Sequence, residues 1–282
     1  MTILIAGCGD LGTEVGLQLA AAGYRVIGLR RSPDRLPAAI EGLAGDLTGP
    51  LPALPDDIDL VAYTAAAGER TEAAYRATYL DGLANVIAAL ARDDVTPRRL
   101  LLVSSTGVYG TDDGSWVDED TSADPSTATG QILLAAERLL ADRAAARAIV
   151  LRLTGVYGPG RTRLIDLVRE GRAVVPDPPV HTNRIHRDDA ARAIVHLLTA
   201  VDEPAGLYLG TDHEPAEKGE VLRFLADELG VAHPPTGPAA SSRGGNKRCR
   251  NDRLVATGFR FTFPTFREGY RAVLAGEGVR HP

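Results

Sequence analysis

The sequence predicts an α/β fold: a doubly wound parallel sheet followed by a smaller, discontinuous C-terminal domain. Three observations carry this expectation. Short runs that are apolar throughout alternate with longer stretches of helical period. A glycine-rich turn, AGCGDLG, joins the first apolar run to the first helical stretch. After Tyr157 the alternation gives way to mixed, proline-rich sequence.

TILIAG is the first strand, apolar at every position, as in a strand covered on both faces. GTEVGLQLAAAG follows as a helix. YRVIGLR, DLVAYTAAA, RLLLVSS and AIVLRLTGVYG are further buried strands. Between them lie two long helical stretches, at about 69–93 and 131–146. Both hold more alanine and leucine than one sheet contact requires, so they are expected to pair two copies of the chain into a homodimer. Beyond Tyr157, HRDDAARAIVHLLTAV returns to helix and GLYLGTD to strand. GEVLRFLADELG and TFREGYRAVLAG are short helices around the polar stretch PPTGPAASSRGGNKRCRN. Residues 1–157 with about 187–211 are expected to form the sheet domain. About 158–186 with 212–282 are expected to form the smaller one, and a ligand cleft is expected between them.

Composition excludes several function classes. The 282 residues are 44% hydrophobic, with a formal net charge of -6, so no nucleic-acid partner is expected. Cys8 and Cys249 provide neither a disulfide framework nor metal-ligand spacing, and no metal site is expected. TILIAG is too short for a secretory leader and lacks a basic lead, and no apolar run approaches a bilayer span. A cytoplasmic chain with no membrane partner is the expectation. Lys218 and Lys247 are the two lysines of the sequence, so lysine chemistry has two possible places.

The glycine turn is the first chemical signal. Gly7, Gly9 and Gly12 sit between a strand and a helix. In a dinucleotide loop the first glycine permits the tight turn, the second lets a diphosphate approach the backbone, and the third lets helix and strand pack closely. The phosphates rest on free N–H groups at the helix N-terminus, here Asp10 and Leu11. The second strand ends in Arg30 and Arg31, where a cofactor without a 2′-phosphate usually meets a carboxylate. Two guanidiniums suit a phosphate, so NADP is expected in preference to NAD.

Further along, VSSTGVYG, LRLTGVYGPG and NRIHRDDAARAI follow in order. With the glycine turn, these motifs resemble the extended short-chain dehydrogenase/reductase family, which contains the NAD-dependent epimerases and dehydratases. The AGCGxLG loop and GNKRCRNDRLVATGFRF look most like its divergent members. The resemblance implies a Rossmann dinucleotide domain and several roles. Asp46 and Leu47 match the adenine contact. Ala65 and Ala66 match the strand end along the ribose and phosphates. Ser105 matches the residue that hydrogen-bonds the reacting substrate oxygen, and Gly158 and Pro159 match the turn beside the nicotinamide.

The family also carries Tyr-x-x-x-Lys on the helix after the serine strand, where the lysine lowers the tyrosine pKa and makes it a usable acid and base. Aligned from Glu137, those positions are Thr129 and Leu133, and no Tyr-x-x-x-Lys occurs anywhere in the sequence. Tyr109, four residues past Ser105 at the same strand end, is one candidate substitute, and water or the substrate itself are the others. His186 begins a helix and reads as a capping or packing residue. Thr106-Gly107, where dehydratase relatives place Asp-Glu, argues against sugar dehydration.

Two functions remain open. One is an NADP-dependent reductase or epimerase, weak or unusual in its chemistry, acting on a small carbonyl or nucleotide-sugar-like substrate. The other is a non-catalytic dinucleotide sensor. The segment from Arg243 to Arg253 is strongly basic, and its Lys247 and Arg248 are expected to hold an anionic small-molecule ligand.

Overall fold

A computed structural model describes residues 1–238 and 244–282. Seven strands form one parallel sheet: β1 (Thr2–Ala6), β2 (Arg25–Arg30), β3 (Glu41–Ala44), β4 (Ile58–Tyr63), β5 (Arg99–Ser105), β6 (Ala148–Leu153) and β7 (Leu207–Gly210). Their order is β7-β6-β5-β4-β1-β2-β3. The order reverses between β1 and β4, which pair from Thr2↔Ile58 to Ala6↔Tyr63. A crevice opens at the carboxyl ends of strands at such a reversal.

The helices are α1 (Asp10–Ala21), α2 (72–92), α3 (Ala128–Ala144), α4 (Arg163–Arg169), α5 (Arg187–Thr199), α6 (Lys218–Leu229), α7 (Asp252–Ala256) and α8 (Phe266–Leu274). Successive side chains of a strand point to opposite faces, and β1 divides accordingly. Ile3 and Ile5 pack with Val15 and Leu19 of α1 and Ile194 and Leu197 of α5. Leu4 and Ala6 pack with Leu83, Val86 and Leu90 of α2 and Leu140 of α3. Both faces are therefore dry, which is why each strand is apolar throughout.

β3 has no counterpart in the sequence reading. It is a four-residue edge strand, largely exposed, and its EGLA sequence has no apolar run to announce it. The helix expected at about 69–93 begins later and is not uniform. Thr71 caps it, its side chain accepting from Ala74 N at 3.2 Å. Residues Arg76–Asp81 form a π-helical stretch. The widened turn leaves a carbonyl for another partner, and the buried Tyr63 hydroxyl donates to Thr78 O. A Cβ at Gly82 would lie 2.5 Å from that hydroxyl, so glycine fits there.

A separate apolar cluster joins Tyr157, Ile165 and Val168 to Val221, Leu225, Phe266 and Tyr270. It is the core of the smaller unit. One stretch expected there packs elsewhere: Leu254 and Phe259 bury in the sheet core beside Ile194 and Leu197. The buried Asp189 carboxylate draws that stretch in, accepting from Thr262 N and Phe263 N, both at 2.8 Å. Among the described residues no helix is long and apolar enough to cross a membrane, and no cluster of metal-ligating side chains occurs.

Candidate active site

A cleft of about 1150 Å³ runs from the glycine turn, past the carboxyl ends of β1, β4 and β5, to the smaller unit. The three glycines have three different surroundings. Gly7 has φ +81°, and a Cβ there would lie 2.5 Å from Ala65 Cα. Gly9 has nothing within 4 Å on its Cβ side, so the backbone stands open. A Cβ at Gly12 would meet Thr64 Oγ1 at 2.5 Å, which places α1 tight against β4. The first N–H groups of a helix lack partners within it, and Asp10 and Leu11 supply two of them on the cleft wall. This donor set, with bare backbone beside it, fits a diphosphate.

Arg30, Arg31, Asp46, Leu47, Ala65 and Ala66 all line the cleft, as does Ser105. Gly12, Gly158 and Pro159 do not. Gly12 sits under the loop, and Gly158 and Pro159 lie between the cleft-lining Tyr157 and Arg161. Arg30, Arg31 and Arg35 give one end of the cleft a positive wall. Arg163, Arg184 and Lys218 do the same on the smaller unit's side, while Arg161 stands at the glycine turn against Asp10. Among the described residues, eight of the chain's 31 basic residues line the cleft, against three acids, Asp10, Asp46 and Glu69.

The turn is strapped by the end of the chain. Arg187 Nη2 donates to Val279 O at 2.9 Å, His281 N donates to Asp10 Oδ1 at 3.1 Å, and Arg30 Nη1 donates to Pro282 O at 3.0 Å. Asp10 also accepts from Arg161 Nε and Arg187 Nη1, each at 2.9 Å. Burial pushes the Asp10 carboxyl up, but those hydrogen bonds and charges hold it below the usual range.

The acid–base end differs. Ser105 Oγ accepts from Gly107 N at 3.1 Å, so it braces the strand end while its own proton stays free to donate into the cleft. Thr129 lies outside the cleft, its Oγ1 3.4 Å from that of Thr127, the α3 cap. Leu133 is buried in an apolar cluster with Val108, Tyr109 and Cys249. Glu137, the third member of the old pattern, is locked below the site. It accepts from Ser104 Oγ at 2.5 Å and from Arg152 Nη2 at 2.6 Å.

Tyr109, expected as a candidate substitute acid, does not line the cleft. It is 3% exposed, and its hydroxyl donates to Asp118 O at 2.7 Å. Burial pushes its pKa to about 12 against the pull of Arg152, whose guanidinium lies 4.8 Å from the ring centroid. The strand end turns through a short helical segment after Ser105, which carries residue 109 inward. His186 does cap α5, with Nδ1 accepting from Asp188 N at 3.2 Å.

Lys247 and Arg248 also lie off the cleft, which corrects the expectation that they hold its ligand. Lys247 is 1% exposed and donates to Gly244 O and to Thr111 O. Burial lowers its pKa. Arg248 Nε donates to Gly114 O at 2.8 Å, and its guanidinium lies 5.0 Å from the Trp116 ring centroid. Arg243 lies outside the described residues. The loop contributes Gly244 and Gly245 to the cleft instead of its charges.

Two side chains that the sequence reading missed stand on the cleft wall. Tyr79 is half-buried on the π-helical stretch and packs beside Tyr75, with ring centroids 5.2 Å apart. It borders the same apolar cluster as Leu133. Burial holds its hydroxyl at about 12, so it stays protonated at neutral pH. Arg184 lies on the floor of the smaller unit's side.

A doubly wound sheet with a glycine turn at its switch point, a cleft-lining serine on the next strand but one, and a small capping unit defines a dinucleotide-binding α/β protein. The model of the NAD-dependent epimerase/dehydratase family matches residues 3–208, and the chain belongs to that family. It is 36% identical to a structure from Methylobacillus flagellatus assigned to the NAD-dependent epimerases/dehydratases, covering 98% of both chains with a TM-score of 0.79. A conserved protein of unknown function from Silicibacter pomeroyi is 31% identical, over 98% of this chain and 99% of that one, with a TM-score of 0.79. The protein YeeZ of Escherichia coli K12 is 27% identical over 277 residues, 93% of this chain and 96% of YeeZ.

Proposed function

We propose that the chain is an NADP-linked oxidoreductase whose acid–base chemistry is weak or unusual, acting on a small, anionic carbonyl or nucleotide-sugar-like substrate. One observation carries this reading: a single cleft joins the open glycine turn to Ser105 and to the cationic side chains Arg163, Arg184 and Lys218 of the smaller unit. Cavities for one drug-sized ligand span roughly 300–1,000 Å³. A cleft of about 1150 Å³ has room for a dinucleotide and a partner.

In this reading Gly9, Asp10 and Leu11 present backbone to the diphosphate, Ala65 and Ala66 flank the ribose, and Arg30 and Arg31 face a 2′-phosphate. The bound nicotinamide supplies or accepts hydride. Ser105 donates a hydrogen bond to the substrate oxygen. Of the three tyrosines on the cleft wall, Tyr157 and Tyr270 are buried and Tyr79 is the more exposed, and Tyr79 donates the proton in the reducing direction. Without a lysine beside it, its high pKa makes it a poor base, so oxidation is slower still. The test is NADPH consumption against a panel of small aldehydes and nucleotide sugars, with NADPH affinity measured alongside. Saturable binding with slow, Ser105-dependent turnover supports the reading, and absence of NADPH binding refutes it.

A second reading, a dinucleotide sensor, is favoured by one observation. The positions of the usual acid–base pair hold Leu133, packed in an apolar cluster, and Thr129, a first-turn residue beside the Thr127 cap. It predicts the same NADPH affinity and no turnover on any member of the panel.

A further inference from the structure

Among the described residues four arginines are buried: Arg99, Arg152, Arg184 and Arg187. Three are matched. Arg99 donates to the carbonyls of Leu197, Leu198 and Asp202. Arg152 grips Glu137, and Arg187 grips Asp10 and Asp188. Arg184 is different. It is 4% exposed and lines the cleft, yet it forms no ion pair among the described residues. Its Nη2 donates to Thr182 Oγ1 at 2.5 Å, and its Nη1 is buried with no partner. The plane is held against Phe266, 5.3 Å from the ring centroid.

A guanidinium taken out of water and left unpaired is costly, and proteins do not keep such a cost without a compensating partner. Asp212 is a buried acid that senses it. Burial raises the Asp212 carboxyl to about 7 despite the pull of Arg184, and its Oδ2 is itself without a partner. It is therefore a partial counter-charge at neutral pH. Thr182 and Lys218 stand on the same wall of the cleft.

We propose that Arg184 anchors an anionic group, a carboxylate or a phosphate, on the ligand that shares the cleft with the dinucleotide. The guanidinium is fixed by Thr182, Tyr270 and its packing on Phe266, and the unpartnered Nη1 is the group left for a charge-assisted bond to an oxyanion. The inference deepens the proposed function, and it rests on that reading in calling the ligand a substrate. The sequence gives the cation but not its isolation, because isolation is a property of what the fold places around it.

The experiment titrates the full chain, saturated with NADPH, with succinate and with inorganic phosphate by calorimetry; the neutral diamide of succinate is the control. Arg184→Met keeps the packing against Phe266, and Arg169→Gln removes an exposed charge off the cleft. At least one anion is expected to bind and the diamide not to. Arg184→Met should weaken that anion by roughly 10- to 150-fold, the range for hydrogen bonds to a charged group. Arg169→Gln should change it less than about 3-fold, as expected for a screened surface charge. Which anion responds decides between carboxylate and phosphate. Failure of both anions to bind, or equal binding by Arg184→Met, overturns the proposal. If Arg184→Met does not fold, the anions against the diamide on the unmodified chain decide. Loss of NADPH binding alone would undo the dinucleotide reading, and the same titrations on the cofactor-free chain would still judge Arg184.

Discussion

The two ends of the cleft have been treated differently by the same fold. At the glycine turn every special position is kept: a positive φ at Gly7, open backbone at Gly9, and close packing at Gly12. At the start of α3 the positions that would carry a proton-transfer pair, Thr129 and Leu133, both lie off the cleft. Leu133 completes an apolar cluster, and Glu137 ties α3 to β5 and β6 through Ser104 and Arg152. Binding a dinucleotide and moving a proton are thus separable in this architecture. The first is set by backbone shape, which is hard to lose without losing the fold. The second depends on a few side chains, whose places can be refilled by packing.

The largest expected effect asks whether α3 has become structural. Glu137→Ala leaves the Arg152 charge buried without its carboxylate, and about 3–5 kcal/mol of stability should be lost. Replacing both residues by methionine should recover most of it, because no uncompensated charge remains. Denaturant unfolding of the three proteins measures this. A near-neutral Glu137→Ala would mean that the helix is not held as described.

Next is the phenol. Tyr79→Phe should reduce any NADPH-dependent turnover by about 100-fold, the lower end for a positioned acid, with NADPH affinity unchanged. Tyr109→Phe should leave turnover within about 3-fold, a bound that follows from a hydroxyl pointed away from the reacting centre. The reverse ranking would restore Tyr109 and erase the contrast between a rewritten end and an intact one.

A smaller effect sharpens the intact end. Arg30→Ala with Arg31→Ala should remove roughly 1.5–3 kcal/mol of preference for NADP over NAD, the range for hydrogen bonds to a charged group. Calorimetric titration with each cofactor reads it directly. Equal affinities in the unmodified protein would show that these arginines serve the chain end, where Arg30 meets Pro282 O, and not a phosphate.

The glycine turn was legible because only glycine meets its backbone demands, and a local demand leaves a local signal. The loss of the tyrosine–lysine pair was legible for the same reason: an absent lysine is visible in a string. Tyr79 was not. It stands on a π-helical stretch whose freed carbonyl, Thr78 O, takes a hydroxyl from a strand fifteen residues earlier, Tyr63, a pairing that no local pattern announces. Lys247 misled because a lysine among glycines reads as an exposed loop cation, whereas the loop folds back and turns its ammonium onto Gly244 O. The isolation of Arg184 was invisible for a related reason, since it is set by the three-dimensional placement of every acid in the chain. β3 was missed because an exposed four-residue edge strand needs no apolar pattern.

The central claim is that the dinucleotide end is intact and the proton-transfer end is not. The most direct test is the rate of NADPH oxidation by the saturated, unmodified protein against nucleotide sugars and small aldehydes. Well-tuned enzymes turn over at about 1–1,000 per second. Saturable NADPH binding with turnover below about 0.1 per second, the rate left when a tuned donor's roughly 100-fold or greater contribution is missing, is the expected result. Turnover above about 10 per second, the median for evolved enzymes, would contradict the account.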